Sequence, residues 1–226
     1  MALLVPMRHL LWAVVLIPSL AAPCQQPQRL VVPKTDNAAT LRLQSGSHVA
    51  LFLPEKAYLP ARGHALTVEF KGTPGVMPRV QSDPGAPDEA ARRVFYEELW
   101  PGISLWFTLS PKGVCEATFV LAPGADAARI RLHYNIPTKI QADGTIAFRF
   151  SSGPVTESSP EAWQSINGKR VAVSASYQLT DGEVGFAVGN YDHNVPLTID
   201  PIYRAALVRS EDRLQTRVSE RTLSRQ

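Results

Sequence analysis

Between residues 65 and 188 the side chains alternate one by one between apolar and other types, and this period of two constrains the fold more than any other feature. Leu66, Val68 and Phe70 alternate with Thr67 and Glu69, and Ile130, Leu132 and Tyr134 with Arg131 and His133. Ile146, Phe148 and Phe150 follow the same rule, as do Val184, Phe186 and Val188. The longest run, Val171, Val173, Ala175, Tyr177 and Leu179, holds it over nine positions. Successive side chains of an extended chain point to opposite faces, so each run is a ribbon with one apolar and one wet side, as antiparallel sheets require. No convincing helical period occurs before Arg204, apart from a turn at Asp88 to Arg92.

The punctuation between the runs agrees. Asp143-Gly144, Asn167-Gly168 and Asp181-Gly182 each stand between two alternating runs, and such pairs accept the positive φ angles of tight hairpin turns. Pro111-Lys112-Gly113 separates two further runs, Ile103 to Leu109 and Val114 to Leu121. Four successive hairpins are expected from about Val94 to Tyr203. Nineteen prolines argue against a helical bundle, while 45% apolar and 19% charged residues argue for a packed core over disorder. The predicted fold is all-β, an antiparallel β-sandwich built from successive hairpins with a short helical or disordered C-terminal tail.

The chain divides into four segments. In residues 1–24, Arg8 and His9 precede an apolar run from Leu10 to Ile17, then Pro18, Ser19 and the small pair Ala21–Ala22, the order of a secretory signal peptide. The run is shorter than the roughly 20 residues of a membrane-spanning helix, so no transmembrane span is expected in the mature chain. Lipoprotein anchoring at Cys24 is the lesser alternative, because Pro23 stands where a small residue is needed. Residues 25–91 form an N-terminal β portion and a Pro/Gly-rich linker, and 92–203 the hairpin-rich core. Residues 204–226 are a basic tail in which arginine recurs every four positions from Arg209 to Arg225.

Charge and motifs exclude several chemistries. The tail carries six arginines against three acidic residues, whereas residues 25–203 hold sixteen basic and seventeen acidic residues. The folded body therefore lacks the basic stripe of a nucleic-acid binder. Five dispersed histidines offer no zinc spacing, and neither a Gly-x-Ser-x-Gly elbow nor a phosphate-cradling glycine loop is present. Glu97 and Glu98 are neighbours on a strand, expected to face opposite ways and so unable to flank one glycosidic bond. Cys115 reads as a buried thiol and Glu116 as a salt-bridge partner. No catalytic, cofactor-binding or metal-ligating residue is assigned, and the chain reads as non-enzymatic. Contact with a ligand or partner is assigned to aromatics: Trp163 in a polar setting, with Trp100 and Tyr191. Trp106, beside Phe107, is assigned to the core.

The run from Tyr96 to Tyr203 also carries a family pattern. It begins Leu99-Trp100-Pro101-Gly102-Ile103-Ser104-Leu105, then Glu116 and Phe119-Val120-Leu121-Ala122-Pro123-Gly124-Ala125-Asp126. It continues through Pro160-Glu161-Ala162-Trp163-Gln164 and Ile166-Asn167-Gly168-Lys169-Arg170-Val171, and ends Leu197-Thr198-Ile199-Asp200-Pro201. This resembles an all-β domain of unknown function found N-terminal to SBBP-type β-propeller repeats in secreted bacterial proteins. The part before Ala65 is less similar, and 25 residues follow Pro201 where the resemblance implies a propeller, so a stand-alone or truncated relative is expected. The expected function is that of an exported module contributing to an extracellular or cell-envelope assembly, with envelope or extracellular proteins or glycans as partners. The alternative is a carbohydrate-binding module using exposed aromatics.

Overall fold

The computed structural model describes residues 40–45, 48–61, 64–82, 92–109, 114–150 and 153–205. The signal segment, Cys24, the Pro111-Lys112-Gly113 turn and the tail beyond Ala205 lie outside them. The strands in the first part of the chain are β1 (Leu41–Ser45), β2 (His48–Leu53), β3 (Lys56–Ala61), β4 (His64–Phe70), β5 (Arg79–Ser82) and β6 (Arg92–Trp100). They are followed by β7 (Ile103–Leu109), β8 (Val114–Leu121), β9 (Leu132–Tyr134), β10 (Ile146–Phe150), β11 (Gly153–Glu157) and β12 (Glu161–Ile166). The last are β13 (Lys169–Val173), β14 (Ala175–Thr180), β15 (Glu183–Val188), β16 (Leu197–Asp200) and β17 (Ile202–Ala205). The single helical element among the described residues is a 3-10 turn at Ala127–Arg129.

Two antiparallel sheets result. The first has the order β1-β2-β3-β4-β9-β15-β14. In the second, β5, β6, β7 and β8 follow one another as neighbours, and β8 pairs on its far side with two strands placed end to end. Phe119 to Leu121 pair with β16, and Val114 to Glu116 with β17. Pro201 stands between them, its carbonyl accepting from Ala117 N at 3.2 Å. From this break the sheet forks, β16 leading to β12 and β13, β17 to β11 and β10. A residue without an N–H suits the place where one strand must become two.

The expected alternation is realised most cleanly in β7, where Ile103, Leu105, Phe107 and Leu109 are buried and Ser104, Trp106 and Thr108 only partly so. The inward residues of both sheets form one core, in which residues of β1 to β4 pack with those of the C-terminal half. Phe52 lies 5.1 Å from Phe107, Phe70 5.3 Å from Tyr96, and Phe119 5.3 Å from Phe186, measured between ring centroids. Polar tips in this core are tied off on backbone. Tyr96 Oη donates to Leu53 O at 2.9 Å, and Trp100 Nε1 to Lys71 O at 2.8 Å.

The turns explain the connectivity. Asn167 and Gly168 have φ of 51° and 74°, and Asp181 and Gly182 have 52° and 79°, the paired positive values of type I′ hairpins. Asp143-Gly144 differs from the expectation of a hairpin between its flanking runs, because β9 and β10 belong to different sheets. It closes only an isolated bridge, Ile140 to Ile146, with Asp143 Oδ1 accepting from Thr145 N and Oγ1. The Pro/Gly-rich stretch after Phe70 is also more than a linker, since Arg79–Ser82 within it forms β5. At the corner where β13 passes into β14, Gly189 N donates to Ser174 O at 2.8 Å, and a Cβ at 189 would collide with Ser174 Oγ.

Candidate functional site

The three aromatics assigned to contact do not converge. Trp100 is 1% exposed, packed between the sheets with its ring 6.1 Å from Phe70 and 6.4 Å from Phe119. It lies on the inward face it shares with Val94 and Tyr96, and β6 is irregular just before it: Tyr96 pairs with Leu105 and Trp100 with Ile103, so three residues stand opposite Ser104 alone. Glu98 takes φ 47° there, and its N–H donates to Ser104 Oγ. The same bulge corrects the alternation expected for Glu97 and Glu98. Both are exposed, with Glu97 3.3 Å from Arg79, while Leu99 and Trp100 both turn inward.

Trp163 does face outward, between the buried Ala162 and Gln164, but the Arg170 guanidinium covers its ring at 3.6 Å. Arg170 is held there by Glu161 Oε2 at 3.0 Å. Tyr191 lies in the loop before β16, partly buried, 4.2 Å from the His193 ring. Buried Gln164 fixes that loop with three bonds, donating to Asp192 O and Val195 O and accepting from Asp192 N.

A different aromatic pair occupies the outer face of the second sheet. Phe95 of β6 and Trp106 of β7 are directly opposed in register and stack at 4.1 Å, both partly exposed. Trp106 was expected in the core, but Phe107 takes that place and the alternation sends Trp106 outward. Thr118 of β8 is the register partner of Trp106, and its hydroxyl donates to Asp200 Oδ1 at 3.0 Å. Partial burial raises the Asp200 pKa above the usual carboxylate value, against the opposing pull of that hydrogen bond. The ladder Phe95–Trp106–Thr118–Asp200 thus joins a stacked aromatic surface to a hydroxyl and a carboxyl.

The inner face holds the main concentration of buried polar groups. Glu157 of β11, 5% exposed, accepts from Tyr134 Oη of β9 at 2.8 Å, linking the two sheets. Tyr177 of β14 donates to Ser158 O at 2.8 Å. Cys115 and Tyr203 line the same small cavity as Glu157 and Tyr134, about 20 Å³ in volume, room for one water. Burial pushes the Glu157 carboxyl up to about 7 and the Cys115 thiol well above its ordinary value. Cys115 is therefore a protonated, inert thiol. The sequence carried a signal for Glu157, since it shares a strand face with Val155, but its residue type masked that position.

Among the described residues, no group of three or more His, Cys, Asp or Glu side chains is placed to hold a metal ion. No curated protein matches the chain, and no solved structure matches it. A family profile matches residues 87–202, a span that opens just before β6 and closes at the start of β17. It takes in the central strands of the second sheet, the fork at Pro201 and both of the outward and inward clusters described above. Covering half of the chain, that match shows that the protein belongs to the family described as Domain of unknown function (DUF7948).

Proposed function

We propose that this protein is an exported, non-enzymatic β-sandwich module that contributes to an extracellular or cell-envelope assembly and meets its partners with the outer face of the second sheet. The observation that carries this reading is the stacked, partly exposed Phe95–Trp106 pair, set on two strands that are each paired on both sides. Aromatic side chains presented on a rigid sheet supply large contact area at little entropic cost, which is why such residues are enriched at interfaces. The buried ionisable groups Glu157, Tyr134 and Cys115 face the core, where they serve the packing of the sheets. The signal-like order of residues 1–24 supports export, and the resemblance to a domain of secreted bacterial proteins supports an extracellular or envelope setting.

The test is a photo-crosslinking residue placed at position 106 in the intact chain within its native cells. The proposal expects discrete adducts with envelope or extracellular components, absent when the probe is moved to Asp143 in the exposed turn. Equal labelling from both positions, or none from 106, counts against it. A second reading, carbohydrate binding, is favoured by the Thr118–Asp200 pair next to Trp106, because sugars pair an apolar face with hydroxyl groups that need hydrogen-bond partners. Specific glycan-array binding that is lost in Trp106→Ala and weakened in Thr118→Val would move the assignment to that class.

A further inference from the structure

Glu157 is the one buried acidic side chain among the described residues, and the groups facing it come from four strands. They are Tyr134 on β9, Tyr177 on β14, Tyr203 on β17 and Cys115 on β8, a thiol that Glu116 also influences. None is a cation. An ionised carboxylate without a cation in such a place is strongly disfavoured, whereas the neutral acid needs only a donor and an acceptor. Tyr134 donates to Oε2, and Tyr177, whose hydroxyl donates to Ser158 O, stands beside the carboxyl as a second phenol; both favour the ionised form, and burial outweighs them.

We propose that Glu157 is a proton-operated latch between the two sheets: as a neutral acid it stays dry and accepts from Tyr134 across the core, and on losing its proton to bulk water it loosens the sandwich at that point. Two further features support the device. The cavity beside the carboxyl has room for one water, so an ionised carboxylate has somewhere to draw solvent. Glu157 is also the last residue of β11, the strand that carries one arm of the fork, so its two partners on β9 and β14 join that arm to the opposite sheet.

The sign of the pH dependence follows from linkage. The folded carboxyl keeps its proton up to about pH 7 while the unfolded one loses it near 4.5. Stability is therefore highest below about 4.5, falls between 4.5 and 7, and is level above, a change of roughly 300-fold in the unfolding constant from this group. Asp200, also raised, adds a slope of the same sign, so the readout is the difference between the wild-type chain and Glu157→Gln. The amide keeps an acceptor for Tyr134 and carries no proton to lose.

Thermal and denaturant unfolding of the full chain from pH 4.5 to 8 should show that difference curve. Tyr134→Phe removes a donor that favours the ionised form and should move its midpoint up. Tyr177→Phe removes a second hydroxyl that favours the ionised form and should move it up as well. Carbon-13 NMR of glutamate carboxyls in the wild-type chain gives a reading independent of any variant, with one glutamate titrating near neutrality. Equal slopes for wild type and Glu157→Gln, all glutamates titrating in the ordinary range, or a downward shift in Tyr134→Phe would each overturn the latch.

Discussion

Trp100 and Trp106 stand six residues apart on the two arms of one hairpin, and their fates are opposite. Trp100 is sealed between the sheets with its indole N–H tied to Lys71 O, while Trp106 stacks on Phe95 on the outer face. Strand periodicity alone places Trp106, because Leu105 and Phe107 on either side point inward. It places Trp100 too, on the inward face of Val94 and Tyr96, because the bulge at Glu97 to Leu99 adds two residues and leaves that parity intact while turning Glu98 outward and Leu99 inward. The pairing of the two strands thus decides which of two similar side chains serves the core and which faces outward. On the second sheet the apolar core lies on the inner face, and the Phe95–Trp106 stack lies on the outer one.

The division can be broken by experiment, and the largest effect belongs to the inner face. Phe119→Ala, which removes a ring packed against both Trp100 and Phe186, should cost about 3–5 kcal/mol in chemical denaturation. Trp106→Ala should cost about 1 kcal/mol or less, since partly exposed side chains lose less on truncation. Equal losses at the two positions would erase the distinction.

Next comes the polar point on the inner face. The raised carboxyl of Glu157 corresponds to about 3 kcal/mol of stability that is present below pH 4.5 and gone above pH 7. A stability curve that instead rises steadily from pH 4.5 to 7 would contradict the placement of this group.

Smaller effects are expected at the rim. Replacing Asn167-Gly168 by Val-Val forces two β-branched residues to positive φ and should cost about 1–2 kcal/mol per position, read as a lowered unfolding midpoint. Arg170→Ala uncovers the Trp163 ring and should cost about 1 kcal/mol or less, while changing indole fluorescence toward that of an exposed ring. An unchanged spectrum would mean that Arg170 does not cover Trp163 in solution.

Much of this architecture was legible in the residues. The alternating runs at 66–70, 146–150 and 184–188 became β4, β10 and β15, and the Asn167-Gly168 and Asp181-Gly182 pairs became type I′ turns, because these features depend on local sterics alone. What could not be read depends on distant partners. The fork at Pro201 exists only because β8 is long enough to pair with two strands end to end. The outward turn of Glu98 and the inward turn of Leu99 needed the bulge, and the burial of Glu157 needed Tyr134 and Tyr177 from the other sheet. Of the aromatics assigned to contact, Trp163 faces outward on β12, but its cover by Arg170 comes from the neighbouring strand.

The outward face as the contact surface is tested most directly by the double variant Phe95→Ala/Trp106→Ala in the full chain. The measurement is the fraction of exported protein retained with the cell envelope, taken beside the unfolding midpoint of the purified variant. Release from the envelope with a midpoint within a few degrees of wild type is the predicted result. Retention at the wild-type level, with the same midpoint, would contradict it.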